Sequence, residues 1–179
     1  IFRRDSPITP EGDTEIEADD EVFCLAATKN IRKVMREMRR MDKPVRRVMI
    51  GGGGNIGRRL AKAIEGKCEV KIIEYSKPGA ERLAAECSKA LVLQGDVTDE
   101  ELLESENVGE MDVYCAVTND DEDNIMSALL AKRMGVRKVI ALINRSAYVG
   151  LVQGGKIDIA LSPAQVTIGS LLAYVRQGD

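Results

Sequence analysis

From residue 48 onward, hydrophobic residues come in short unbroken runs, and between the runs apolar positions recur every three or four residues. The runs Val48 to Gly51, Val70 to Glu74, Ala90 to Gln94, Asp112 to Val117, Lys138 to Ile143 and Ile157 to Leu161 predict strands. The stretches Ile56 to Ile64, Gly79 to Cys87, Asp99 to Ser105, Glu122 to Met134 and Pro163 to about Tyr174 predict helices, with a helical turn near Ser146 to Val152. Strands that are hydrophobic throughout, rather than at alternate positions, belong to a sheet covered on both faces. Alternation of strand and helix makes that sheet parallel. The expected fold is therefore α/β, a doubly wound six-stranded parallel sheet of the Rossmann type over residues 46–179. Ser162 before Pro163 reads as an N-cap with proline at the first helical position.

The first strand runs into Gly51-Gly52-Gly53-Gly54-Asn55-Ile56-Gly57 and then directly into a helix. Read as G-x-G-x-x-G, Gly52 permits a tight turn, Gly54 lets backbone approach a pyrophosphate, and Gly57 lets helix pack closely on strand. The helix start then presents free N–H groups and the positive end of its dipole to phosphates. Glu74 ends the second strand, 22 residues after Gly52. That is where a carboxylate binding a ribose diol belongs, about 20 residues on. Glu74 would repel a 2′-phosphate, and Tyr75 and Ser76 supply no arginine to reverse the choice, so NAD or another adenine nucleotide is favoured over NADP.

Two further strand ends complete the candidate crevice. Gly95-Asp96-Val97 follows the third strand, where Asp96 either accepts from an adenine amino group or caps the helix begun by Thr98 and Asp99. Thr118, Asn119 and Asp120 follow the fourth and are expected beside the second half of a dinucleotide, whereas Asp121 to Asp123 are read as helix-start acids complementing the dipole. The candidate cofactor-binding set is thus Gly52, Gly53, Gly54, Asn55, Ile56, Gly57, Glu74, Tyr75, Asp96, Val97, Thr118, Asn119 and Asp120.

Upstream the pattern changes. Residues 1–28 hold Pro7, Pro10 and Gly12 around two strand-like pieces, Thr14 to Glu17 and Glu21 to Ala26, a hairpin remnant too short to fold around its own core. Lys29 to Met41 places Ile31, Val34, Met35, Met38 and Met41 at helical spacing, and Pro44 ends the helix. Nine Lys and Arg against Glu37 and Asp42 lie between Lys29 and Arg47. A membrane or nucleic-acid surface would suit such a charge, but no aromatic anchors accompany it, and residues 29–45 read as a basic amphipathic linker helix.

Composition narrows the function. In 179 residues with a net charge of −3 there is no histidine, which removes the commonest general base, metal ligand and nucleophile partner together. No tyrosine among Tyr75, Tyr114, Tyr148 and Tyr174 is followed by lysine four positions later, and no room remains for a substrate domain. An NAD-dependent oxidoreductase is the weaker expectation for that reason. A redox-sensing nucleic-acid-binding regulator is weaker too, since the balance is acidic and no helix-turn-helix accompanies the basic run. Cys24, Cys68, Cys87 and Cys115 are widely spaced and read as small buried apolar residues of a cytosolic protein.

Taken together, Gly52 to Gly57, Glu74, Gly95-Asp96 and Val117-Thr118-Asn119-Asp120-Asp121-Glu122-Asp123-Asn124 resemble the TrkA-N family of nucleotide-binding domains, of the regulator-of-potassium-conductance class. Gly12 to Phe23 resembles the end of the small C-terminal subdomain of a preceding repeat, so the chain reads as the centre and second half of a two-repeat regulator. The resemblance implies a non-enzymatic cytoplasmic subunit, peripheral to the membrane, that binds NAD or NADH, or in relatives ATP and ADP. It implies a membrane potassium-transport subunit as partner and assembly into dimers or rings, the helix after Pro163 crossing between subunits. Some ATP-responsive relatives carry an arginine within the glycine loop. Asn55 stands there in this chain, which argues against triphosphate sensing by the same contact and leaves Arg58 or Arg59 as the substitutes.

Overall fold

A computed structural model describes residues 1–3, 6–37, 44–152 and 155–176. They divide into two units, Ile1–Pro44 and Val45–Asp179.

In the first unit, strands β1 (Phe2–Arg3) and β2 (Ser6–Pro7) pair antiparallel. The hairpin thus lies ahead of the two pieces expected to form it. Of those, only Glu21 pairs, in an isolated bridge to Phe2, and Thr14 to Glu17 is not a strand. Side chains hold this stretch instead of a ladder. The Arg3 guanidinium donates to both carboxylate oxygens of Asp20 at 2.8 Å, to the Glu15 carbonyl at 3.0 Å and to the Glu17 carboxylate. That guanidinium, with the Glu17 N–H, lowers the Asp20 carboxyl to about 2. Helix α1 (Ile31–Glu37) forms within the basic segment, with Lys29 and Asn30 in a turn ahead of it; residues 38–43 of the expected span, including Met38 and Met41, lie outside the described residues.

The second unit alternates as the hydrophobic runs predict. Its elements are β3 (Arg47–Gly51), α2 (Asn55–Ile64), β4 (Glu69–Glu74), α3 (Lys77–Glu86), β5 (Leu91–Gln94), α4 (Glu100–Ser105), β6 (Val113–Ala116), α5 (Asp121–Arg133), β7 (Lys138–Leu142), α6 (Ser146–Val152), β8 (Ile159–Leu161) and α7 (Pro163–Arg176). A 3₁₀ turn at Val108–Glu110, not expected from the pattern, leads into β6.

All six strands are parallel, in the order β5-β4-β3-β6-β7-β8. The chain winds outward from β3 to β5, then returns to place β6 on the other side of β3. Ligand crevices of doubly wound sheets open at that reversal, beyond the carboxyl ends of the strands.

Side chains leave each strand on alternate sides, and both sides are covered. Val48, Ile50, Val70, Ile72, Val113 and Cys115 pack with Ala61 of α2 and Leu83 of α3. Met49, Ile73, Tyr114, Val139 and Ala141 pack with Leu103 of α4 and with Ala128 and Ala131 of α5. This two-sided burial is why the strand sequences carry no alternation. Among the cysteines only Cys115 meets the expectation of burial, which pushes its thiol up to about 11; Cys68 and Cys87 are half-buried and Cys24 is exposed. Surface position, unlike strand identity, is not encoded in the immediate neighbours of a small residue.

Candidate functional site

Gly52 turns at φ +105°, in the left-handed region, and a Cβ there would lie 2.8 Å from the Thr118 nitrogen. Its N–H donates to the Ile73 carbonyl at 2.9 Å, so the turn is clamped between β4 and the segment after β6. A Cβ on Gly57 would come within 1.9 Å of the Gly52 carbonyl oxygen, which is the close helix-on-turn approach the third glycine permits. Gly54 occupies the N-cap of α2, exposed, with nothing within 4 Å of where its Cβ would be and no side chain capping the helix. The first-turn N–H groups of α2 are thereby left for another acceptor.

Glu74 stands across from this turn. One carboxylate oxygen accepts from the Gly53 N–H and the other from the Ser76 N–H, each at 2.9 Å. Both bonds fix its orientation with no cation taking part. Glycine is needed on either side: a Cβ on Gly53 would approach Glu74 Oε2 to 2.7 Å, and one on Gly79 would approach Oε1 to 2.9 Å.

A cavity of about 500 Å³ opens beside these groups. Nine of the thirteen expected residues line it: Gly52, Gly53, Gly54, Glu74, Tyr75, Asp96, Val97, Thr118 and Asn119. Val117 and Asp123 line it as well. Asn55 faces a second cavity of about 280 Å³, which shares Gly53, Gly54 and Glu74 and is also lined by Arg58, Arg82 and Glu86. Ile56 is exposed and Gly57 is buried, and neither lines either of these two cavities.

Asp120 caps α5, its carboxylate accepting from the Asp123 N–H at 3.0 Å, and does not reach the larger cavity. Asp123, expected only to complement the helix, does reach it. Burial, and then repulsion by Asp120, Asp96 and Glu122, raise its carboxyl above the ordinary value. Asp96 is not the cap of α4; Asp99 is, accepting from Glu101 N–H at 3.0 Å. Asp96 instead closes a turn by accepting from the Thr98 N–H at 2.8 Å while facing the cavity.

Two buried residues hold the strand ends and escaped the sequence reading. Asn124, fully buried, accepts from the Thr118 N–H and hydroxyl, each at 2.8 Å, and donates to the carbonyls of Thr118 at 3.2 Å and Leu142 at 2.9 Å. Asp121 accepts from the Asn144 N–H and side-chain amide and from the Arg145 N–H, at 2.8 to 2.9 Å. Burial alone would raise the Asp121 carboxyl, but these donors outweigh it and hold it below its ordinary value. The spacing carried a signal: 121, 124, 128 and 131 form one helical stripe, so its polar members must be buried and must find partners.

Below the crevice, the buried Tyr114 hydroxyl has no partner at hydrogen-bond geometry among the described residues, and lies 2.5 Å from where a Gly51 Cβ would lie. The neighbouring Ser127 hydroxyl donates instead to the Asn124 carbonyl. Burial pushes the phenol up.

The TrkA-N domain profile matches residues 48–163, the whole span from the glycine turn to the start of α7. The chain belongs to the TrkA-N domain family. It is 57% identical, over all 179 of its residues, to the Trk system potassium uptake protein TrkA of Halomonas elongata, of which it spans 39%. Two solved structures share the TrkA-N fold seen here. The TrkA-N domain of inner membrane protein ybaL from Escherichia coli matches 74% of this chain and 98% of its own (TM-score 0.65, 12% identity). The GsuK channel bound to NAD matches 74% of this chain and 25% of its own (TM-score 0.57, 18% identity). Among the described residues no helix is long and apolar enough to cross a membrane, and no His, Cys, Asp and Glu cluster suits a metal.

Proposed function

We propose that this chain is part of a regulatory protein of a potassium-uptake system and binds NAD or NADH across the strand ends of its second unit. The observation that carries the reading is the single cavity joining the glycine turn, Glu74 and the Thr118 segment at the reversal of the sheet. Gly52, Gly53 and Gly54, with the helix start at Asn55 to Gly57, face the diphosphate. Glu74 accepts from the ribose diol, with Tyr75 beside it. Asp96 and Val97 flank the adenine, and Thr118 and Asn119 the second nucleoside. Asp120 acts through the helix cap. The name of the relative from Halomonas elongata and the NAD in the GsuK channel support ligand and system alike.

In this reading the protein is cytoplasmic and peripheral, and transmits ligand state to a membrane potassium-transport subunit. Residues 1–28 end a preceding regulatory subdomain, 29–45 link the two, and 46–179 bind the nucleotide and end in a helix shared between subunits. A ligand shifts the arrangement of paired domains only by its differential affinity for the arrangements. The role is regulatory rather than catalytic, in line with the absence of histidine.

Identification of the nucleotide that copurifies with the chain tests the ligand. NAD or NADH is expected; ATP or ADP would shift the reading to an adenine nucleotide seated towards Arg58 and Arg82. Potassium flux measured with the full transport system against each nucleotide tests the coupling, and flux indifferent to a nucleotide shown to bind would remove it.

A further inference from the structure

The two cavities that meet at the glycine turn differ in charge. The smaller holds Arg58 and Arg82 against Glu74 and Glu86, with Arg58 donating to Glu86 at 3.0 and 3.1 Å. The larger holds Glu74, Asp96 and Asp123, and among the described residues no lysine or arginine lines it. Among the described residues none of its carboxylates is in an ion pair. Glu74 is held by two backbone N–H groups and Asp96 by Thr98, while Arg145, on the segment after β7, is engaged by Glu122 and Tyr148.

Asp123 belongs to α5, so it lies on the β6 side of the reversal, the half that receives the second nucleoside of a dinucleotide. The oxidised nicotinamide ring carries a positive charge and the reduced ring carries none. Adenosine, diphosphate and both riboses are common to the two forms, so their interactions cancel in the ratio of affinities.

We infer that this site selects the oxidised dinucleotide over the reduced one, and that Asp123 is the specificity-determining residue. The inference rests on the dinucleotide reading above. Burial, and then repulsion by Asp120, Asp96 and Glu122, already raises the proton affinity of Asp123. A cationic ring placed among them relieves that repulsion, whereas a neutral ring leaves it in place. Substitution at Asp123 spares the helix cap, because only its backbone N–H bonds to Asp120.

Titration calorimetry of NAD+, NADH and ADP-ribose against the whole chain and its Asp123→Asn variant tests this, with thermal melts confirming that the variant folds. ADP-ribose lacks the nicotinamide, so it reports on the site without the discriminating group. In the wild type, NAD+ is expected to bind about fivefold tighter than NADH, the size of one half-screened opposite-charge pair. That ratio is expected to fall to about twofold or less in Asp123→Asn, with ADP-ribose unchanged, and to shrink in high salt. Equal binding of NAD+ and NADH, tighter NADH, or a ratio unaltered by the substitution overturns the inference while leaving the dinucleotide site standing. Failure of all three ligands to bind overturns the site and the inference together.

Discussion

On the β3–β4 side of the crevice, positions are fixed by side chains that are missing. Gly52, Gly53, Gly57 and Gly79 allow backbone, helix start and carboxylate into contacts that any Cβ would block. On the β6–β7 side they are fixed by side chains that are buried and fully hydrogen-bonded, Asn124 to Thr118 and Leu142, and Asp121 to Asn144 and Arg145. The first side tolerates almost no added volume, and the second almost no lost polarity. The difference teaches how one ligand crevice is made rigid by two unrelated means, and each can be broken separately.

The largest effect is expected at Gly57. Its Cβ would overlap the Gly52 carbonyl, so Gly57→Ala forces the turn or the start of α2 to move. A loss of about 3 kcal/mol or more in urea unfolding is expected, together with loss of nucleotide binding. Unchanged stability would mean the turn adapts freely. On the opposite side, Asn124→Ala removes a fully buried amide and leaves the half-buried Thr118 N–H and Leu142 carbonyl without their partner. Its expected cost is about 2–3 kcal/mol, with the weakened nucleotide affinity traceable to a displaced Thr118 segment by amide chemical shifts.

Glu74→Gln sharpens the comparison without a change of volume. One oxygen becomes an amide nitrogen that faces a backbone N–H, of Gly53 or of Ser76, and the charge that excludes a 2′-phosphate is gone. NAD affinity is expected to fall about tenfold, some 1.4 kcal/mol, while the preference for NAD over NADP narrows.

The glycine side was legible in the sequence because each steric demand there singles out one residue type, and the spacing to Glu74 repeats a geometric requirement. The sheet was legible for a related reason: burial on both faces writes itself as unbroken apolar runs from Val48 to Ile143. The polar side was not. Asp120, Asp121, Glu122 and Asp123 all suit a helix N-terminus equally, and nothing in their order tells which one caps, which holds a neighbouring segment and which faces the cavity. Only the stripe through Asp121, Asn124, Ala128 and Ala131 marks one of the four, Asp121, as buried. In the first unit the hairpin's strands lie elsewhere than expected because strands of two residues carry no periodicity, and Arg3 gathers its acidic partners from residues 14 to 17 places away.

Two smaller effects test the join between the sides. Tyr114 buries a hydroxyl with no partner at hydrogen-bond geometry among the described residues, beneath Gly51, so Tyr114→Phe is expected to raise stability by about 1 kcal/mol, read as a higher urea midpoint at unchanged slope. Destabilisation would reveal a bond to that hydroxyl. The smallest effect concerns Asp121, whose carboxyl the Asn144 and Arg145 donors hold below its unfolded value despite burial. Its contribution is therefore present at neutral pH and is lost as the pH falls below about 4, towards the lower folded value. Asp121→Asn is expected to flatten that part of the stability profile while leaving its alkaline side unchanged.

The central claim is that a dinucleotide lies across the strand ends, and a crystal structure of the chain with NAD tests it most directly. The account predicts ribose hydroxyls within hydrogen-bond distance of the Glu74 carboxylate, the diphosphate against the backbone of Gly53 to Asn55, and the nicotinamide towards Asp123. NAD bound elsewhere, or bound there with Glu74 turned away and still held only by Gly53 and Ser76, would contradict it.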